Sequence, residues 1–325
     1  MTAKKLIWVL VSSLIGLLTL VVSCSSGTTT APATTPAQTT NTVAPSTSVA
    51  PTTVAAATPQ YGGTLTELAI DPLGFDQAYT SYIFTAALGP VEENLIESDW
   101  TKGPLGSNQS TWAKGYLGRY ELLTGGLAQS WELPDDSTII FHIRQGVHWQ
   151  NLPPANGREF TAQDAAFNQQ RMWTATKSYQ YTNYAAAERP TSFTALDKYT
   201  LQIMVQPKNQ GIMLTECGYQ LANVPPEIVP AGGVPVDWHH VVGTGPFILS
   251  DYVTGSSITY LRNPNYWQTD PIGSGKGKQL PYVDGMKQLI IPDTSTEIAA
   301  LRTGKIDIDG TPGAAGSPGK TLTSS

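Results

Sequence analysis

The sequence predicts a mixed α/β fold, because strand-like and helix-like segments alternate from about residue 61 onward. Short runs with apolar residues at alternate positions, bounded by Gly, Pro or Asp, are typical of strands. A longer stretch after Thr161 places its apolar residues at helical spacing instead. The chain of 325 residues is 40% hydrophobic, so it has enough apolar side chains to form a large core.

The N-terminus is typical of a bacterial lipoprotein signal peptide. Lys4 and Lys5 form a positive region, residues 6–22 carry no charge, and residues 21–24 read Val-Val-Ser-Cys. This ending matches the bacterial lipobox, so we expect residues 1–24 to be the signal peptide and Cys24 to be the lipidated residue. An uncleaved membrane anchor is the alternative, and it would also leave the rest of the protein outside the cytoplasm.

Residues 25–60 contain no charged and no aromatic side chain and are rich in Ser, Thr, Ala and Pro. Such a segment cannot form a core, so we predict a disordered linker. A coil of this length would hold the folded body, which starts near Tyr61, about 30 Å or more from the membrane. Residues 310–325 have a similar composition, with Leu322 as their one large apolar residue, and are predicted to be a disordered tail.

The first predicted elements of the body are strands separated by one helix. Residues 63–70 are predicted to form a strand, and a helix follows Thr80 until a Gly-Pro pair breaks or bends it. Residues 127–133 and 138–144 are predicted to be paired strands, because the turn between them is rich in Pro and Asp. The core-facing residues of the second of these strands are expected to be Ile139, Phe141 and Ile143.

A second helix is predicted to begin at Thr161, with Asp164 as the acid of a capping box. The elements after it are short strands, a loop and one more helix. In order they are a strand at 201–205, a loop with four prolines at 225–235, and a hairpin of strands 245–252 and 257–262. A strand at 287–291 follows, and then a short helix that is capped by Thr294 with Glu297 and stops at Gly304.

The charge argues against nucleic-acid binding, and the cysteine content argues against an intramolecular disulfide. The formal net charge is -6 and no cluster of Lys and Arg is present, so no nucleic-acid partner is expected. The two cysteines are Cys24 and Cys217. If Cys24 is lipidated, no intramolecular disulfide can form, and Cys217 is expected to be an inert buried residue.

An anchored cell-surface hydrolase is the main competing hypothesis, but two common hydrolase motifs are missing from the sequence. G-x-S-x-G and H-E-x-x-H do not occur, and a phosphate-loop-like stretch at 313–321 has the wrong spacing. His239 and His240 are adjacent, but neighbours on an extended chain point to opposite sides and make a poor metal site. We therefore predict no catalytic residues, no metal and no cofactor.

Several motifs occur together in the order seen in one family. They are Gly126-Leu127-Ala128-Gln129-Ser130-Trp131-Glu132, residues 141–149, residues 157–164, Gly243-Thr244-Gly245-Pro246-Phe247, Arg262-Asn263-Pro264-Asn265-Tyr266-Trp267, residues 281–284 and residues 297–307. With these stretches the body resembles the family 5 extracellular solute-binding proteins of bacterial ABC importers, which capture peptides, nickel and related solutes.

This resemblance implies a periplasmic-binding-protein-like clamshell of the α/β class, type II. Residues 61–309 are expected to form the solute-binding domain. Its first lobe would combine residues 61–76 with about 195–290, about 77–194 would be an inserted domain, and about 291–309 would be only the start of the opposite lobe. Because the family normally continues through that third domain, the chain is expected to be truncated at its C-terminus.

The resemblance also implies a function in non-covalent binding, with no covalent bond made or broken. We expect a monomeric receptor, lipid-anchored outside the cytoplasm, that binds a peptide or small-molecule solute and presents it to ABC permease subunits. The runner-up is a hydrolase or a non-transport binding module on the same fold. Expected ligand contacts are Asp71, Leu73 and Phe75, in the loop after the first strand, and Tyr179 and Tyr181, in a region similar to one that approaches peptide ligands.

Overall fold

The computed structural model describes residues 58–79, 87–99, 101–102, 120–231 and 236–308. Cys24, the predicted linker up to residue 57, most of the helix predicted after Thr80, and the predicted tail lie outside these residues. Over the described part, no helix combines the length and the apolar character needed to cross a membrane.

The described residues contain ten strands and four α-helices. The strands are β1 (Thr64–Ala69), β2 (Ile96–Ser98), β3 (Leu123–Gly125), β4 (Ala128–Glu132), β5 (Thr138–Ile143), β6 (Ser192–Ala195), β7 (Thr200–Met204), β8 (Phe247–Val253), β9 (Ser257–Arg262) and β10 (Gly285–Ile290). The helices are α1 (Ala162–Thr174), α2 (Tyr179–Asn183), α3 (Gln210–Tyr219) and α4 (Thr294–Arg302). Short 3-10 turns cover Tyr120–Leu122, Pro226–Ile228, Trp238–His240 and Gly273–Gly275.

The first sheet joins the two ends of the described body in the order β1-β10-β9-β8. Strands β1 and β10 run parallel, with Glu67 opposite Gln288, and the other pairs are antiparallel. After β10 the chain forms α4 and returns to β1, where Ile308 makes a parallel bridge with Glu67. This strand-helix-strand connection is the usual way to join parallel strands. The β8–β9 hairpin was predicted from sequence and is confirmed.

The second sheet is antiparallel and has the order β4-β5-β7-β6. The paired strands predicted around the Pro-Asp turn are β4 and β5, and the predicted inner residues Ile139, Phe141 and Ile143 are all buried. Helix α1 packs on β6 and β7. Because β7 pairs with β5 in this sheet, the domain boundary expected near residue 195 falls inside the sheet.

The start of α1 was predicted correctly. The Asp164 side chain accepts from the Thr161 backbone N–H, and both halves of the capping box are present. The cap predicted for the last helix was wrong by one residue. Asp293 is the N-cap of α4, and its carboxylate accepts from the backbone N–H of Thr296 at 2.8 Å. An Asp carboxylate competes well for this position, so the cap moved one residue upstream.

The Gly-Thr-Gly-Pro motif lies in close contact with residues 90 and 91. The backbone N–H of Gly245 donates to the Val91 carbonyl at 2.8 Å, and that of Phe247 donates to the Pro90 carbonyl at 3.1 Å. A Cβ on Gly243 would lie 1.9 Å from the Val91 carbonyl oxygen. The motif therefore needs glycine because another stretch of backbone occupies the side-chain space.

Candidate functional site

A pocket of about 340 Å³ lies where the chain leaves β1. We call it the β1 pocket. Its lining residues come from the end of β1, the segment 87–90, the start of β8 and the middle of β10, and they are Glu67, Ala69, Ile70, Ala87, Gly89, Pro90, Pro246, Phe247, Met286 and Gln288.

The polar side of the β1 pocket is a chain of hydrogen bonds. The Nε2 of Gln288 donates to Glu67 Oε1 at 2.7 Å. The hydroxyl of Tyr260 lies 2.8 Å from Gln288 Oε1 and 2.7 Å from the Ala87 carbonyl oxygen, so its single proton is directed at these two acceptors. Gln288 and Tyr260 are buried. This network fixes the position of the Glu67 carboxylate.

The remaining wall of the β1 pocket is apolar. Phe247 and Met286 are buried, whereas Ile70 is partly exposed. Proline and glycine residues of the segment 87–90 complete the wall. The pocket therefore combines one carboxylate with an apolar surface, which is the usual composition of a small-molecule site.

The predicted contact Asp71 has a different set of partners. Its Oδ1 accepts from the Tyr252 hydroxyl at 2.7 Å, and its Oδ2 accepts from the Gly255 backbone N–H at 3.0 Å. Asp71 thus holds the β8–β9 turn against the loop after β1. Phe75 is buried and packs edge-on against Tyr252 at 5.0 Å between ring centroids, while Leu73 is 71% exposed. Their role in ligand binding stays a prediction.

The predicted aromatic contacts Tyr179 and Tyr181 both lie on α2. Tyr181 carries the Arg189 guanidinium over its ring, 4.0 Å from the centroid. Neither tyrosine lines the β1 pocket or the larger pocket described below. Their proposed contact with ligand is therefore also still a prediction.

The residues weighed for nucleophilic or metal chemistry have structural surroundings. Cys217 is buried, and burial raises the pKa of its thiol well above the ordinary value. His239 and His240 are exposed, and one nitrogen of each ring lies about 3 Å from the Asp237 carboxylate. Across the described ranges, no group of three or more His, Cys, Asp or Glu side chains is placed to hold a metal ion.

A larger pocket of about 790 Å³ lies between β2, β3, the turn after β5 and the loop after Trp267. Most charged groups in and beside this pocket already contact other residues of the protein. The guanidinium of Arg144 donates to the carbonyls of Gly125 and Gly126 and lies 4.7 Å from the centroid of the Trp267 ring. Glu93, beside the pocket, accepts bonds from the Tyr266 hydroxyl and the Trp267 indole. We therefore regard this pocket as the weaker candidate for solute binding.

Glu97 in the larger pocket should make the protein less stable as the pH rises. Burial, and then the charge of Glu93, raise the pKa of Glu97 from 4.5 to about 7, against the opposing effect of Arg144. The folded state therefore holds a proton that the unfolded state has lost, so stability falls between these two values and levels off above them. The difference corresponds to about 3 kcal/mol.

Glu97→Gln should remove this dependence and raise the unfolding free energy above pH 7 by up to about 3 kcal/mol, with little change near pH 4. Urea unfolding of both proteins across pH 4–9 measures the difference. Glu121→Gln is the matched control, because Glu121 is exposed. Parallel pH profiles for Glu97→Gln and the unchanged protein would contradict the prediction.

Comparison with known proteins identifies the family. Residues 123–321, more than half of the chain, match the family described as bacterial extracellular solute-binding proteins, family 5 Middle. The chain belongs to this solute-binding family. The family resemblance noted in the sequence is thereby confirmed, and the family and the similar proteins are described as binding proteins.

Curated members of the solute-binding family are similar over a part of their length. Heme-binding protein A of Haemophilus influenzae is 28% identical over 198 residues, which are 56% of this chain and 34% of that protein. The dipeptide-binding protein of Escherichia coli is 26% identical over 208 residues, 59% of this chain and 37% of that protein. The aligned part is thus little more than a third of the length of either relative.

Solved structures show the same fold. The periplasmic binding protein DppA of Helicobacter pylori, in complex with the peptide STSA, has a TM-score of 0.55 and 24% identity over 76% of this chain and 46% of that chain. NikA of Brucella suis, in complex with Fe(III)-EDTA, has a TM-score of 0.56 and 19% identity over 75% and 43%. The predicted fold class, that of family 5 periplasmic binding proteins, is confirmed.

Sequence reasoning did not select Glu67 as a site residue. Its position is readable, since Leu65, Glu67 and Ala69 alternate along β1 and so share one face of the sheet. Its significance depends on Gln288, which follows it by 221 positions in the chain. A charged residue on the inner face of a predicted strand was the only available signal.

Proposed function

We propose that this solute-binding chain is the extracytoplasmic receptor of an ABC importer and delivers a di- or oligopeptide to the membrane permease. It is held at the outer face of the cell membrane through Cys24 and acts as a monomer. Ligand binding closes one lobe over the other, because the closed form makes more contacts with the ligand. The loop after β1 carries Asp71, Leu73 and Phe75. In this proposal, that loop and the β1 pocket both face the ligand.

The observation that carries the proposal is the β1 pocket on a member of a solute-binding family. Several relatives are named for di- or tripeptides, and three of the similar structures contain peptides. Other relatives bind heme or Fe(III)-EDTA, so the family alone leaves the solute open. The single carboxylate and apolar wall of the pocket favour a peptide over these ligands.

A thermal-shift screen of the full chain tests the proposal. Peptides of two to five residues should raise the melting temperature with increasing concentration, because a ligand that binds only the folded state stabilises it by about 2.7 kcal/mol at 100 times Kd. Hemin and Fe(III)-EDTA are the comparison ligands. Stabilisation by one of these and by no peptide would contradict the peptide assignment.

Delivery to a permease needs a cellular measurement. Uptake of a stabilising peptide, labelled at its C-terminus, should fall when the gene is deleted and recover when the full chain is expressed again. Unchanged uptake in the deletion strain would argue for a non-transport binding module, which is the remaining alternative on this fold.

A further inference from the structure

The charge of the β1 pocket restricts the solute. Among its lining residues in the described part of the chain, Glu67 is the one with a formal charge, and no Lys, Arg or His takes part. An anionic ligand would therefore meet a carboxylate without a compensating cation. A cationic ligand would instead pair with the Glu67 carboxylate, which has no cationic partner within the pocket.

The carboxylate is also held in place before any ligand arrives. Gln288 donates to Glu67 Oε1 at 2.7 Å, and the Tyr260 hydroxyl fixes the other end of the Gln288 amide at 2.8 Å. The Gln288 and Tyr260 side chains are 6% and 1% exposed, so they have little freedom to turn away. Within the described ranges, no donor is bonded to Glu67 Oε2, which leaves one oxygen for a ligand. An acceptor that is already held in position loses less conformational entropy on binding than one that the ligand must first order.

We infer that Glu67 is the anchor for an ammonium group of the solute, and that the β1 pocket selects amines carrying an adjacent apolar group. The ammonium donates to Glu67 Oε2, and the apolar group packs against Ile70, Phe247 and Met286. The pocket volume of about 340 Å³ is close to the lower end of small-molecule sites, about 300–1,000 Å³, so it suits the terminal part of a peptide. This assignment rests on the proposed function and deepens it.

The experiment uses two probes that differ by one charge, leucyl-leucine amide and N-acetyl-leucyl-leucine amide. Neither has a carboxylate, so their comparison isolates the ammonium. Isothermal titration calorimetry on the full chain measures dissociation constants up to the millimolar range for both probes and for Fe(III)-EDTA. We expect the free amine to bind about tenfold or more tightly than the acetylated probe, as a charge-assisted hydrogen bond implies.

Glu67→Gln keeps the size of the side chain and removes its charge. It should weaken the free amine about tenfold or more and leave the acetylated probe unchanged. Glu132→Gln is the matched control, since Glu132 lies on the other sheet and pairs with the exposed His142. This control should bind both probes as the unchanged protein does.

The outcomes separate the inference from the proposed function. Equal affinity for the two probes, or an unaffected Glu67→Gln variant, would overturn the inference while leaving a solute-binding receptor. Tighter binding of Fe(III)-EDTA than of the free amine would overturn it as well. If no probe and no peptide of the thermal screen binds, the proposed function itself fails for this chain. Because the two probes are compared on the unchanged protein, a variant that does not fold leaves the result decisive.

Discussion

Gly243→Ala is expected to destabilise the protein by at least about 3 kcal/mol, because the new methyl group would overlap backbone atoms. A Cβ at this position lies 1.9 Å from the Val91 carbonyl oxygen and 2.6 Å from the Val91 carbonyl carbon. Backbone cannot rotate away as a flexible side chain can. The segment is also fixed on its other side, since the Gln150 backbone N–H donates to the Gly243 carbonyl at 2.9 Å.

The same substitution should disturb the β1 pocket. Pro90, Pro246 and Phe247 line that pocket, and the backbone bonds between the two segments hold this wall together. Urea unfolding measures the loss of stability, and the probes described above measure the loss of binding. Gly211→Ala is the matched control, because a Cβ there meets nothing within 4 Å and the residue lies inside α3.

Gly211→Ala should leave the protein unchanged or stabilise it by up to about 1 kcal/mol, since alanine is the better helix former. Equal stabilities for Gly243→Ala and the unchanged protein would show that the two backbone segments are not in contact. A loss of similar size in both variants would attribute the effect to alanine itself rather than to the contact.

Local chemistry explains which parts of the fold could be predicted. The capping box at Thr161 and Asp164 involves residues three apart, and the β8–β9 hairpin is marked by the turn around Gly255. The Gly-Thr-Gly-Pro motif was noted in the sequence as one of the stretches similar to the family. What the sequence could not show is that Val91 occupies the space beside Gly243, because that contact joins residues more than 150 positions apart.

The candidate site was harder to predict for the same reason. Asp71 was selected as a ligand contact from its place in the loop after β1, but its partner Tyr252 follows 181 positions later. Glu67 and Gln288 meet only because β1 and β10 are neighbouring parallel strands in register. Hydrogen bonds between such distant residues depend on strand order, which periodicity and turn motifs do not determine.

Arg171→Met should destabilise the protein by about 3–5 kcal/mol, because it leaves a buried carboxylate without its counter-charge. The Arg171 guanidinium donates to Asp76 Oδ2, and the side chains are 14% and 2% exposed. Asp76 also accepts from the backbone N–H groups of Ala78 and Val236, so it ties the end of the loop after β1 to two other segments. Glu92 lies in the same cluster, where burial, and then the charge of Asp76, raise its pKa well above the ordinary value.

Two further variants distinguish a charge effect from a packing effect. Asp76→Asn combined with Arg171→Met should recover part of the lost stability, because the double variant no longer buries the Asp76 charge without its partner. Lys198→Met, which breaks the exposed ion pair with Glu159, should cause a much smaller loss. Urea unfolding of the four proteins at pH 7 measures all three differences. If the double variant were no more stable than Arg171→Met alone, the loss would come from the missing side-chain volume. In that case, the loop after β1 would be held in place by packing, and its proposed position beside the ligand would not depend on the buried charges.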